Sequence, residues 1–324
     1  MPITSIDKDV DALTMTVVAD FRVQARRLWE AYSDPRQIEK FWGPPEWPAT
    51  FPRHDMIPGG RSVYYMTGPD GERMHGHWEI LHVDAPHTFE FRDGFAHADG
   101  TPNDSAPTMR VVFTFEDTDD GSRLTTTTWF DSVSDMETLV EMGMEEGVKT
   151  AMAQIDEVVA DLTSFAGGVG TILQVLDDTH VRVSRIIRGS IQKVWDAHHQ
   201  PELMQRWMLG PDGWSMPVCD VATTVGGTYR YEWVDENGEN RFGFTGELLE
   251  STHPNRTVTT EQMIGIDTIT TNELTLTPVD DGTLLSLLIT YPDAATRDMI
   301  LATGMTKGME TSYARLESEL MAMA

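Results

Sequence analysis

Near the end of the chain, apolar residues fall at Met305, Met309, Tyr313, Leu316, Leu320 and Met323, spaced by 4, 4, 3, 4 and 3 positions. That rhythm places them on one stripe and predicts a single continuous helix over 293–323. The same spacing occurs 161 positions earlier, at Met144, Val148, Met152, Ile155, Val159 and Leu162. Gly304 and Gly308 stand one residue ahead of Met305 and Met309, and Gly143 and Gly147 hold the same places in the earlier copy. A glycine inside a helix costs about 1 kcal/mol relative to alanine, so these pairs predict that something approaches each helix closely. The chain is read as two copies of one unit, each closing with this helix.

The alternating stretches repeat as well. A period of two over 14–22 predicts an edge-like strand, followed by short helices at 23–32 and 37–41. In the second copy the strand falls at 181–188 and the helices at 191–197 and 203–207, with Trp29 matching Trp195 and Pro35 matching Pro201. Next come two loops bracketed by tryptophan, 42–47 and 207–214, rich in Gly and Pro and read as rigid rims. Gly59-Gly60 and Gly226-Gly227 then open a strand in each copy, where a sheet would bend. Further strands are predicted at 73–83, 88–95, 109–116 and 122–130, with counterparts at 241–249, 257–264, 268–278 and 283–291. The polar stretch 96–107 is an insertion confined to the first copy, read as a mobile loop. The glycine-rich 166–170 is the natural linker, which gives domains at 1–165 and 171–324.

Length supports this division, since 324 residues suit two domains of about 150 residues better than one core. A net charge of −28 is spread over both halves and disfavours nucleic acid and anionic membranes as partners. No apolar run approaches the roughly 18 residues needed to cross a bilayer, and residues 1–11 lack a basic end followed by an apolar core. A cytoplasmic protein without membrane insertion is expected. The single cysteine, Cys219, excludes an intramolecular disulfide and is read as a small hydrophobe in a strand.

The order of elements resembles the START-like, or SRPBCC, superfamily. The residues that carry the likeness are Trp29 and Trp195, Asp34-Pro35, the Trp-Gly-Pro loops, the paired glycines and the terminal Gly-x-x-x-Gly helix. Within the superfamily, the chain is most similar to homologues of the heat-shock-protein-90 ATPase activator. The resemblance implies an α+β architecture of two tandem helix-grip domains, as in the birch-pollen allergen. In each, a curved antiparallel sheet wraps a long C-terminal helix around an apolar cavity. It also implies binding of lipids, hormones or polyketides, or cyclisation chemistry on such molecules. The eukaryotic co-chaperones that name the family carry a different N-terminal domain, whereas here one domain type fills both positions.

These readings converge on a pocket for an apolar small molecule, such as a lipid or polyketide-like compound, between sheet and helix. Its expected lining is Trp42, Trp47, Tyr64, His77 and Met144 in the first copy. In the second it is Trp207, Trp214, Tyr229, Tyr231, Trp233, Met305 and Met309. A binding protein is read ahead of a cyclase- or hydratase-type enzyme using the same cavity, and ahead of a chaperone-related interaction protein. A chaperone or a second copy of the chain is kept as an alternative partner. No nucleophile elbow, phosphate loop or dinucleotide fingerprint is present, so no cofactor is expected. His77 and Tyr231 are the candidates for proton transfer, with Tyr64, Tyr229 and Glu261 as further polar groups. His75 and His77 share a strand face, with His54, His82 and His87 nearby in sequence, but neither a ligand triad nor an orienting carboxylate follows from the spacing, so no metal site is assigned. His198 and His199 are expected to be exposed.

Overall fold

The computed structural model describes residues 2–160, 170–210, 212–279 and 282–322. The chain separates into two compact units, Met1–Phe165 and Ala166–Ala324. All of the expected linker except Gly170 lies outside the described residues, as do Leu162 and Met323 of the two stripes.

The first unit runs β1 (Ile3–Asp9), β2 (Thr14–Phe21), α1 (Ala25–Ser33), α2 (Pro35–Ile38), β3 (Ala49–His54) and β4 (Arg61–Thr67). It continues with β5 (Arg73–Asp84), β6 (Thr88–Phe95), β7 (Thr108–Thr118), β8 (Gly121–Phe130), α3 (Val133–Glu141) and α4 (Met144–Ala160). Its eight strands form one antiparallel sheet in the order β1-β2-β8-β7-β6-β5-β4-β3.

The second unit repeats the plan as β9 (Ile172–Val175), β10 (His180–Ile187), α5 (Ile191–His199), α6 (Pro201–Trp207), β11 (Trp214–Asp220) and β12 (Thr228–Asp235). Then follow β13 (Arg241–Thr252), β14 (Arg256–Met263), β15 (Ile269–Val279), β16 (Gly282–Thr290), α7 (Ala294–Leu301) and α8 (Met305–Ala322). The strand order, β11-β12-β13-β14-β15-β16-β10-β9, is that of the first unit read from the other end. Both units are α+β, with the fold expected of helix-grip domains. Trp29 and Trp195 are each the fifth residue of the first short helix, and Met144 and Met305 each open the last one. Strands β5 and β6 precede β13 and β14 by 168 positions, whereas β7 and β8 precede β15 and β16 by 161. The polar insertion 96–107 accounts for the difference of seven. It is tied back through Ala96 N–H to His75 O and Asn103 N–H to Phe95 O, both at 2.9 Å. Among the described residues, no helix is long and apolar enough to cross a membrane.

Four strands escape the sequence pattern, and all are edge or near-edge strands. β1 and β9 lie outside β2 and β10, so 14–22 is not an edge. β1 is short of apolar residues, and β9 has only four positions. β3 and β11 each contain a proline, Pro52 and Pro217, at which the pairing register shifts. A proline lacks the N–H a ladder needs and is tolerated at such edges.

The helix predicted over 293–323 is two helices. Asp293 caps α7 by accepting the Thr296 amide at 2.7 Å, and the turn at 302–304 separates it from α8. Gly304 takes φ +79° and its N–H donates to Leu301 O at 3.1 Å, a left-handed helix stop that glycine adopts without a Cβ penalty. Gly143, at φ +91°, ends α3 in the same way. The expectation of a close approach at the glycines also fails. A Cβ placed at Gly143, Gly147, Gly304 or Gly308 would meet nothing within 4 Å. Gly143 and Gly304 therefore serve the backbone, and Gly147 and Gly308 leave open space on α4 and α8.

The cores differ. In the first unit one continuous group of buried side chains runs from β2 through Leu28, Trp29 and Tyr32 of α1 to Phe89, Phe91, Phe113 and Phe115 and on to Met152 and Ile155 of α4. In the second unit the buried side chains fall into three groups, bridged by the part-exposed Met208, Leu287 and Met309. His198 and His199 are not free surface groups. His198 packs 4.8 Å from Trp207 and burial pushes its pKa down to about 4, while His199 stacks on Trp195 at 3.9 Å. Cys219, half-buried on β11, lies 4.0 Å from Met204 Sδ, and burial raises its pKa to about 11.

Candidate functional site

Side chains alternate across a strand, so the inward face of each sheet can be read from its register. In the first unit β6 points Phe89, Phe91, Asp93 and Phe95 inward, and β7 adds Met109, Val111 and Phe113 beside them. The same positions in the second unit are Thr257, Thr259, Glu261 and Met263 on β14, with Thr270, Asn272 and Leu274 on β15. Two phenyl rings at the centre of the sheet are thus replaced by threonines, and a valine by asparagine. Aromatic mass is displaced toward β12 and β13, where Tyr229, Tyr231, Trp233, Phe242 and Phe244 share the inward face. None of the three core groups of this unit includes Thr257, Thr259 or Asn272.

Glu261 stands on the same inward face of β14. Its cross-strand neighbour on the β13 side is Gly246, and the ring of Tyr229 lies over the glycine. A Cβ at Gly246 would sit 2.7 Å from Tyr229 Cε1 and 1.9 Å from Thr260 O, so only glycine lets the ring cross. The Tyr229 hydroxyl then donates to Thr260 O at 2.9 Å. Burial raises the pKa of Glu261, and the Asn272 amide, by hydrogen bonding, partly offsets that. With its N–H group turned to the carboxylate, Asn272 Oδ1 is left buried without a partner. Tyr291 lies close enough for burial, reinforced by the Glu261 charge, to lift its pKa to about 12, and its hydroxyl is 3.7 Å from Met305 Sδ. Helix α8 is held over the sheet by Arg185 of β10, which pairs with Glu310 and, at 2.6 Å, with Glu317.

The equivalent carboxyl of the first unit is Asp93, paired across the ladder with Trp78. Burial drives its pKa up to about 7, against the Gly94 amide, Tyr64 and Trp78, which favour the charged form. Tyr64 reaches it over Gly76, where a Cβ would fall 2.3 Å from Tyr64 Cζ. The indole N–H groups of Trp42 and Trp78 lie beside the Tyr64 hydroxyl but form no well-aligned hydrogen bond.

Among the residues expected to line a pocket, Trp42, Tyr64, Met144, Tyr229, Tyr231, Trp233, Met305 and Met309 pack on or into the cores. Trp207 is fully enclosed, its N–H given to Ala197 O at 2.9 Å and its ring stacked on Tyr313, which makes it packing. Trp214 packs against Phe242 at the end of β12, and Trp47 reaches the Gly68 turn at the rim. His77 is a correction. The inward residues of β5 are Gly76, Trp78 and Ile80, so His77 and His75 lie on the opposite face, outside any space between sheet and helix. There His77 packs against Gly94 of the neighbouring strand. The other histidines do not join it, for His54 is buried, with Nδ1 at 2.9 Å from Ser62 Oγ and Nε2 at 2.8 Å from Tyr32 O, and His82 and His87 are exposed. Asp93 was missed, yet its signal was in the sequence: an acid in the apolar phase of Phe89, Phe91 and Phe95.

The family described as "Activator of Hsp90 ATPase homolog 1-like protein" matches residues 22–160 and again 188–321. Similar solved structures include protein Ms6760 from Mycobacterium smegmatis, 46% identical, which covers 48% of this chain and 96% of its own, with a TM-score of 0.46. A protein from Arthrobacter aurescens is 43% identical, covers 49% of this chain and 92% of its own, and has a TM-score of 0.47. One from Rhodobacter sphaeroides is 27% identical over 47% of this chain and 99% of its own, with a TM-score of 0.45. No curated protein matches the sequence. With a match in each of its two units, the chain belongs to the family of activator of Hsp90 ATPase homolog 1-like proteins.

Proposed function

We propose that the protein binds an apolar small molecule in the second unit, between its sheet and α8, with the buried end of the ligand carrying a hydrogen-bond donor. One observation carries this reading. At the centre of the sheet, Thr257, Thr259 and Asn272 replace Phe89, Phe91 and Val111 of a unit with the same fold. Exchanging rings for small polar side chains in a packed core costs several kcal/mol unless something else fills the space. Leu287, Met305 and Met309 supply adaptable apolar wall, and Tyr231 faces the same space. At the polar end Glu261 and Asn272 Oδ1 are acceptors, which favours a hydroxyl or amine on the ligand over a carboxylate.

Nile red, a neutral dye, tests the reading, with 1-decanol as competitor. Thr259→Phe writes the residue of the first unit into the second and should abolish dye binding without lowering the melting temperature. Unchanged dye binding in this variant, or failure of decanol to displace the dye, would refute the assignment.

A further inference from the structure

We propose that the β14–β15 hairpin of the second unit is a docking surface for a basic amphipathic segment of another protein, one whose Lys or Arg side chains flank an apolar stripe. It concerns the solvent side of a turn and does not depend on the ligand assigned above. Over 263–269 the hairpin exposes Met263, Ile264, Ile266 and Ile269, at 36%, 41%, 47% and 56%. The matching turn of the first unit is the polar insertion 96–107, which exposes no large apolar side chain among the described residues. Exposed apolar residues scattered singly are ordinary, whereas a group of them in one turn marks a contact site. The hairpin is also held in shape. Ile264 N–H donates to Gly243 O at 2.8 Å, Ile266 N–H to Met263 O at 3.0 Å, and the Gln262 side-chain amide to Ile266 O at 2.9 Å. A turn ordered before contact loses little freedom on binding.

The surroundings of the turn decide which partner fits. His180 and Thr271 both face Thr290 across the sheet, so 176–179, 264–268 and 291–304 leave it at one end, where the turn 236–240 also lies. These four stretches carry seven acidic residues and one basic residue. That one, Arg297, is taken up by Asp298 at 2.8 Å and by Asp177 O. Glu236, Glu239, Asp267 and Asp293 stand exposed. Helix α7 adds Met299, 61% exposed, and buries none of its residues, whereas α3 of the first unit buries Met136 and Leu139. An apolar turn set among carboxylates complements a segment that is apolar along one stripe and basic beside it. It opposes an anionic bilayer, and equally a second copy, which brings the same net charge of −28.

A fluorescein-labelled peptide of Leu-Lys-Lys-Leu repeats, titrated with the full chain and followed by anisotropy, tests the assignment. Ile266→Asn combined with Ile269→Thr should weaken binding about tenfold or more without lowering the melting temperature. Asp267→Asn combined with Glu236→Gln should weaken it about threefold in dilute buffer and less in added salt. Val225→Asn, which removes a 60% exposed apolar side chain at the opposite end of the same sheet, should leave binding unchanged. A peptide of Gly-Lys-Lys-Gly repeats, with the same charge and no apolar stripe, should bind far more weakly. The proposal is overturned if the hairpin variant binds as tightly as wild type, or if the glycine peptide matches the leucine peptide. It is also overturned if the chain alone self-associates, or sediments with phosphatidylcholine vesicles, through the same side chains, which would make a second copy or a lipid surface the occupant.

Discussion

The two sheets have the same strands in the same order, but they hold their helices differently. In the first unit Ala19, fully buried on β2, lies in one apolar group with Met152 and Ile155 of α4. Its counterpart on β10, taken from the matching start of each strand, is Arg185, which reaches up to Glu310 and Glu317 of α8. Helix α8 also packs on its sheet through Tyr313, Leu316 and Leu320, so the ion pairs, which span two turns of the helix, add to apolar contact where the first unit relies on apolar contact at this position. The repeat serves as an internal control: what the first unit fills with Phe89 and Phe91, the second leaves to Thr257 and Thr259.

The largest effect expected from this difference is in the cores. Phe89→Ala should destabilise the first unit by about 3–5 kcal/mol, while Thr257→Ala at the same place in the second should cost only about 1 kcal/mol. Urea melts followed by tryptophan emission would measure both. Similar costs would mean that the second core is as tightly filled as the first.

A smaller contrast lies where the second short helix begins. Asp34 is buried, accepts the Arg36 amide at 2.9 Å and pairs with the Arg36 guanidinium at 2.7 Å, whereas Gln200 provides no side-chain cap. Burial opposes the charge of Asp34, but Arg36 and the Gln37 amide together outweigh it, so the folded pKa lies below the usual carboxylate value. Its contribution is therefore full above about pH 4 and is lost as pH falls through the lowered folded value. Asp34→Ala should cost about 3 kcal/mol at pH 7 and progressively less in acid, while Gln200→Ala should be near neutral. A penalty independent of pH would show that the carboxylate is not what matters.

Arg185→Met tests the tether. It should destabilise the second unit by about 2 kcal/mol, and added salt should weaken the native interaction, since Glu310 is partly exposed. If the variant were as stable as wild type, the apolar contacts of Tyr313, Leu316 and Leu320 would suffice to hold α8, and the contrast with α4 would disappear.

The smallest effects separate the glycines. Gly308→Ala should stabilise by up to about 1 kcal/mol, because a methyl group there enters open space and alanine favours the helix. Gly304→Ala should destabilise by about 1 kcal/mol, because φ +79° disfavours any side chain. Thermal melts giving both changes the same sign would contradict the division of labour between cap and helix surface.

The candidate sites were only partly legible. Tyr229, Tyr231 and Trp233 announce their shared face by period alone, and Glu261 was named as a polar group, though without a partner. His77 failed because a period of two says that alternate residues share a face but not which face is covered; that is set by the neighbouring strand, where Trp78 and Ile80 turn inward. Asn272 had no signal, since an unsatisfied hydrogen bond exists only once partners are fixed in space.

By itself the sequence determined the duplication, the central strands and both pairs of short helices. These rest on local periodicity and on a match between distant segments, which need no coordinates. The edge strands, the break at Gly304, the outward turn of His77 and the tether at Arg185 were decided by tertiary structure. Each depends on which groups meet across the fold, and the same residues read singly are compatible with either outcome. The exchange of rings for Thr257 and Thr259 lies between the two. The substitutions are visible in the sequence, but only the strand register places them where the first unit keeps its phenyl rings.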